Sequence, residues 1–396
     1  MRVDLTDPSR FADGTFWSDL AWLRENDPVH WHADAEGGFW AVTRHSDVLS
    51  VYARHETFVS GQGMRLGDQP DAVGAVAQRM LIVSDPPDHT HLKRVLGKSF
   101  RSAEMPRLDR LVRQTVGAAL DTALAAGEID LVPLAGEIPN SVICSLMGLP
   151  PADWRWIGGV TTAAFEGPSE DARSAAHSEI FLYFSDLVAE RRKRPGDDYI
   201  SRITHDLRDT AVPCRQRPLT EEEVVYNCHG VLAGANETTR YAAAGGTLAL
   251  AERPDQWRLL VDGGAEVAGS ATEEVLRWTT PAVHVLRTAT RPADIGGVPI
   301  ADGARVTLWN VSANRDADVF PDPDRFDVTR SPNRHVAFGG GRHRCIGARL
   351  ARHELEVYLT ELAARVARIE LTGAPRCNAS NFTLGLTSLP VRLTPR

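Results

Sequence analysis

One cysteine stands where glycines and basic residues crowd together, in Phe338-Gly-Gly-Gly-Arg-His-Arg-Cys345-Ile-Gly347. The residues that follow, Ile346 to Val366, carry apolar side chains at three and four spacing and predict an amphipathic helix. Cys345 therefore sits at a helix N-terminus. Free backbone N–H groups and the partial positive charge of that terminus, with Arg342, His343 and Arg344 beside it, should lower the thiol pKa and favour a thiolate. Glycines let the backbone wrap closely around the sulfur and bring Phe338 alongside. A lone cysteine is usually a small buried hydrophobe, but basic, glycine-rich surroundings are wrong for that role.

Three further constellations precede this loop. Glu274-Val-Leu-Arg277 puts an acid and a base on one helical face, where they can pair; taken alone, such pairs are mostly solvated contacts worth about 0.2–1 kcal/mol. Leu232-Ala-Gly-Ala-Asn-Glu237-Thr238-Thr239-Arg240 inserts small and polar residues into an apolar helical stripe. Small residues let something approach the backbone, although a packing glycine followed by solvent-facing polar residues reads equally well. In Asp85-Pro-Pro-Asp-His89-Thr-His-Leu-Lys93-Arg94, His89 and Lys93 share a helical face.

The cysteine loop resembles the haem-binding loop of the cytochrome P-450 family, and the other motifs occur in that family's order. The resemblance covers essentially the whole chain. It implies that Cys345 is the axial thiolate of a haem iron, the ligand whose electron donation favours O–O cleavage, with Phe338, Gly339 and Gly347 shaping its loop and His343 meeting a propionate. It makes Glu274 and Arg277, with Arg325 as a third candidate, a structural brace that includes the Phe320-Pro-Asp-Pro-Asp-Arg325-Phe326 segment. Glu237 and Thr238 become a proton-delivery pair, and Gly234 and Ala235 leave room for dioxygen. His89 and Arg287 would reach propionates, together with Lys93 or Arg94, since lysine stands where the family usually has arginine. The implied substrate pocket draws on Ala235, Val283, His284 and Leu384, the loop from Ser60 to Leu81, and the helices around Phe165 and Phe181.

The elements that must position these groups are mostly helical. Trp17 to Asn26 reads as a helix, and VHWHADAEGGFWAVT as two strands around Gly37-Gly38, giving a β-containing region over about residues 1–60. From Glu104 to Leu250 the pattern is helical, cut at Pro133, Pro150-Pro151, Pro168, Pro195 and Pro213. Thr220-x-x-Glu223 forms a capping box for a helix of about thirty residues, roughly 45 Å long and so central. Thr272 to Trp278 is a further helix, Val283 to Leu308 is strand-rich, and the C-terminus ends in strands. The expected fold class is mainly α with small β-sheets (α+β), the cytochrome P-450 fold over a single domain of residues 1–396.

The formal net charge of −8 among 396 residues argues against a nucleic-acid binder. No stretch reaches the roughly 20 apolar residues of a membrane span, and the polar N-terminus lacks signal-peptide character, so a cytoplasmic protein is expected. The cysteines Cys144, Cys214, Cys228, Cys345 and Cys377 contain no CxxC pair, which speaks against zinc and disulfide frameworks. By resemblance the cofactor is haem b, with O2 and NAD(P)H-derived electrons arriving through a ferredoxin and ferredoxin reductase that dock near Arg342, Arg344, Arg349 and Arg352. The substrate implied is a small apolar or amphipathic organic molecule of secondary metabolism, which the enzyme would hydroxylate, epoxidise or otherwise oxidise. The rivals are oxidative coupling, peroxide-driven chemistry and a non-catalytic haem sensor.

Overall fold

The computed structural model describes residues 3–100, 105–167, 169–205 and 218–396; Pro168, Pro213, Cys214 and Glu104 lie outside them. The capping box forms as read: Glu223 N donates to Thr220 Oγ1 at 3.2 Å and Thr220 N to Glu223 Oε2 at 2.8 Å. The long helix they start, Glu221–Ala251, spans 31 residues, and twenty of them are buried, because neighbours cover it on several sides. Leu131–Met147, Glu170–Lys193 and Ala265–Thr279 pack against it, as does the cysteine helix, Ala348–Arg365. Leu232, Ala243, Val275, Leu355 and Leu359 belong to the one large apolar core that joins these helices. A central helix of this kind needs small residues where others cross it: a Cβ on Gly246 would lie 2.7 Å from the Val275 side chain.

The strands are organised differently from the reading. Val29–His32 and Phe39–Val42 do pair as a hairpin, but they join Arg305–Trp309, His284–Ala289 and Phe58–Val59 in one five-stranded sheet. Phe39–Val42 runs parallel to Arg305–Trp309, so distant parts of the chain share this sheet. Helices Phe16–Asn26 and His45–Ala53 are interleaved with the first strands, and the N-terminal part is thus mixed. A second sheet, of three strands, pairs Pro390–Pro395 with Glu128–Asp130 and Val366–Leu371. Pro133 does not break a helix: it is the third residue of Leu131–Met147, where its missing N–H would have had no intrahelical partner. The helix read from Ile346 begins at Ala348, and that read from Thr272 begins at Ala265. Among the described residues no helix is long and apolar enough to cross a membrane.

Candidate functional site

The glycines of the cysteine loop answer to Tyr52. A Cβ on Gly341 would lie 2.2 Å from the Tyr52 carbonyl oxygen, and one on Gly340 2.9 Å from its ring; Gly339 and Gly341 also have positive φ, +66° and +58°. Only glycine lets the loop cross helix His45–Ala53 there. The sequence assigned these residues to the sulfur, but their nearest neighbours are Tyr52 atoms, whereas a Cβ on Gly347 would lie 4.0 Å from Cys345 Sγ. Cys345 N donates to the Phe338 carbonyl at 2.9 Å, closing the loop, and Arg352 lies over the Phe338 ring at 4.5 Å.

The Cys345 residue is exposed, yet protein atoms crowd around its sulfur. Burial pushes the thiol pKa up, and the N–H groups of Gly347 and Ala348, with Lys93 and Arg352, oppose this without overcoming it. The net direction is opposite to the sequence expectation because desolvation outweighs the helix terminus and its cations. A cation bound at sulfur would reverse the balance, since a coordinating metal deprotonates a thiol outright.

Beside the sulfur lies a cluster of basic groups, in which Arg287 and Lys93 are charged and two histidines are held neutral. His89 and His343 have ring centroids 4.1 Å apart, and His343 Nε2 stands 3.1 Å from Ser60 Oγ. Burial, reinforced by Arg287, His89 and Lys93, pushes His343 down to about 2; burial with Lys93, Arg342 and Arg287 pushes His89 down to about 4. Arg287 is 6% exposed and spends one N–H on the Leu286 carbonyl at 2.6 Å. Asp85, the carboxylate acting on Arg287, already accepts from Ser60 N and Gly61 N. His89 Nε2 is buried without a hydrogen-bond partner. An exposed cysteine next to under-neutralised cations and an orphaned imidazole nitrogen fits a metal macrocycle carrying carboxylates: sulfur for the metal, His89, Arg287 and His343 for the acid groups. Lys93 is turned to the loop, donating to the Arg342 and Arg344 carbonyls, the latter at 3.0 Å, while Arg94 reaches His91 Nδ1 at 3.2 Å.

Across the site, the long helix presents Gly234, exposed, and Ala235 and Thr238, partly exposed. A Cβ on Gly234 would meet nothing within 4 Å, and Thr238 Oγ1 donates to the Gly234 carbonyl at 2.7 Å. Glu237 points elsewhere. It is 2% exposed, held by Arg240, and accepts from Thr162 Oγ1 at 3.2 Å. Arg240 and Tyr241 OH both donate to Glu166 Oε1 at 2.6 Å. Burial raises the Glu237 pKa, and Arg240 opposes the rise. Arg240, Glu166 and Tyr241 were missed in the sequence, although Glu237-x-x-Arg240 has the spacing recognised at Glu274.

Glu274 and Arg277 are both fully buried and joined by two 2.8 Å hydrogen bonds. Arg277 continues to the carbonyls of Asn314, Pro323 and Arg325, and Glu274 accepts from Asp327 N and Asn333. The third side chain is Arg330, whose Nε lies 3.2 Å from Glu274; Arg325 lends its carbonyl and leaves its exposed side chain outside.

Two pocket expectations change. His284 is fully buried, with Nε2 accepting from Leu66 N at 3.1 Å and Nδ1 donating to the Asn381 carbonyl at 2.8 Å, so it ties two loops to the sheet and offers substrate no free nitrogen. Val283 is also fully buried, packed in the N-terminal core, and Leu384 lines a cleft of about 610 Å³ beside Trp17 and Tyr241. Arg352 is held by Glu273 at 2.6 and 3.0 Å, which removes it from the exposed basic face of Arg342, Arg344 and Arg349.

Comparison with known proteins agrees with this geometry. The family model "Cytochrome P450" matches residues 267–372, from the Glu274 helix through the cysteine helix. The chain is 35% identical to cytochrome P450 NovI of Streptomyces niveus, covering 99% of this chain and 97% of that protein. It is 33% identical to linalool 8-monooxygenase of Pseudomonas putida, covering all of both. The crystal structure of P450 OxyD, described as involved in the biosynthesis of vancomycin-type antibiotics, superimposes with a TM-score of 0.90 at 36% identity over all of both chains. A mainly helical fold that sets an exposed cysteine beside a basic cluster, and relatives that span its full length, make this chain a member of the cytochrome P450 family, an oxidoreductase of the monooxygenase kind.

Proposed function

We propose that the chain acts as one unit, a cytoplasmic monooxygenase that oxidises a small apolar or amphipathic secondary metabolite by hydroxylation or epoxidation. The observation that carries this reading is the division of labour on the long helix, with Thr238 at an uncovered surface and Glu237 behind it. Haem b, held by Cys345 and by His89, Arg287 and His343, would supply the activation of dioxygen. Gly234 keeps the helix surface open, the Thr238 hydroxyl can offer its proton there by turning away from the Gly234 carbonyl that holds it, and Glu237 is a buried acid that can replace it. A sensor needs no such acid. Electrons would come from a ferredoxin, reduced by its reductase at the expense of NAD(P)H and docking on the exposed face of Arg342, Arg344 and Arg349. The association should weaken as salt rises, because exposed charges are screened over about 10 Å at 0.1 M.

Reconstitution with a ferredoxin, its reductase, NADPH and a panel of terpenes and phenols tests the proposal. Product containing one atom of ¹⁸O from ¹⁸O2 supports it; turnover with peroxide but none with dioxygen and the reconstituted electron donors overturns it.

A further inference from the structure

Two histidines that the chemistry above does not use face each other between the long helix and the helix packed against it. His229 Nε2, on the long helix, lies 2.9 Å from His177 Nδ1, on helix Glu170–Lys193. Phe181 stacks on His229, with centroids 4.4 Å apart and 17° between planes, and meets Tyr226 edge-on at 5.8 Å. Phe165 meets His177 edge-on at 6.1 Å. His229 is one helical turn before Ala233, its neighbour Gly230 is one turn before Gly234, and a Cβ on Gly230 would lie 2.8 Å from Met80, in the loop opposite. Arg65 lowers the pKa of both His177 and His284, and its guanidinium covers Phe382 at 5.3 Å. The pair therefore stands where the open part of the long helix meets the 60–81 loop and the C-terminal turn.

One proton must lie between the two facing nitrogens, since two bare nitrogens at 2.9 Å repel and two N–H groups collide. If His229 donates it, His177 Nε2 carries a hydrogen and is a donor. If His177 donates it, His177 Nε2 is bare and is an acceptor. His229 Nδ1 is buried without a partner, whereas His177 is partly exposed, so His177 Nε2 is the end that a ligand can reach. Burial holds both rings toward the neutral form, His229 down at about 3, and Arg65 and Arg173 add to this on His177. The tip is neutral, adaptable and walled by aromatic rings.

We propose that the His177–His229 pair is a substrate-specificity site that recognises an uncharged oxygen, a hydroxyl or carbonyl, on an aromatic body seated against Phe165 and Phe181. This inference rests on the proposed reading of the open helix surface as the substrate pocket.

Matched probes, 4-phenylphenol and biphenyl, test it by isothermal titration calorimetry on the holoenzyme. Wild type should bind the phenol about tenfold more tightly, the worth of one such hydrogen bond. His177→Phe should bring the ratio close to one with biphenyl binding unchanged within about twofold. His177→Gln, which keeps a hydrogen-bonding tip, should recover part of the preference. A wild type that does not discriminate, or a preference that survives in His177→Phe, overturns the proposal. The carbon-monoxide spectrum of the same samples separates the two readings: discrimination without a thiolate band would sink the haem-thiolate reading and leave this site standing, and a band without discrimination would do the reverse.

Discussion

Glu237 and Thr238 are adjacent in sequence, about 100° apart around the long helix, and differ in surroundings: the carboxylate is buried against Arg240 and Thr162, while the hydroxyl hydrogen-bonds to the Gly234 carbonyl on the uncovered side. A proton can pass between them only if the carboxylate leaves Arg240 or a water bridges the helix. This arrangement separates a proton reserve from the point of delivery, and each half can be tested alone.

Thr238→Ala removes the hydroxyl but leaves the helix intact, since alanine is the better helix former. NADPH consumption should continue while product per NADPH falls several-fold and hydrogen peroxide rises. Unchanged coupling would remove Thr238 from proton delivery.

Burial is the main cause of the raised Glu237 pKa, and Arg240 is the main cation that restrains it. Arg240→Gln should therefore raise it further. The ionised form would then appear only at higher pH, and the midpoint in the pH profile of coupled turnover should move upward. A shift to lower pH, or none, would mean that another group sets the profile.

Glu354 is 4% exposed, and burial pushes its pKa up to about 8, with Thr239 opposing. The folded protein thus holds a proton that the unfolded chain, with a carboxyl pKa near 4.3, releases as pH rises. Unfolding releases that proton between these values, so this group costs stability as pH increases from about 4.5 to 8. Glu354→Gln should melt higher than wild type at pH 8 and nearly equal to it at pH 4.5. Parallel melting curves across that range would contradict the assignment.

The Glu274–Arg277 pair braces the segment Asn314 to Asn333 through five of its residues and Arg330. Arg277→Met leaves a buried carboxylate unpaired and should cost about 3–5 kcal/mol, read as lost thermal stability and poor haem retention. Arg325→Ala, which keeps the carbonyl, should be close to neutral. Equal damage from both substitutions would contradict the network.

The sequence displayed those parts whose physics is local. The capping box, the Gly37-Gly38 hairpin and the Cys345 loop each announce themselves within about ten residues, and each forms. What it concealed depends on neighbours far along the chain. Tyr52 explains the loop glycines from nearly three hundred residues away, Arg330 takes the place expected for Arg325, and His284 is consumed by Leu66 and Asn381. The direction of the Cys345 pKa was hidden for the same reason, because charge pattern is visible in a sequence and desolvation is not. Glu166, Arg240 and Tyr241 join only after two helices pack, so no spacing could join Glu166 to Arg240.

The central claim is that Cys345 binds the haem iron as a thiolate, and the reduced, carbon-monoxide-bound absorption spectrum tests it most directly. The account predicts a strongly red-shifted Soret band in wild type that is lost in Cys345→Ala. Haem retained by the wild type without that band under mild reduction, or a band unaffected by Cys345→Ala, would contradict it.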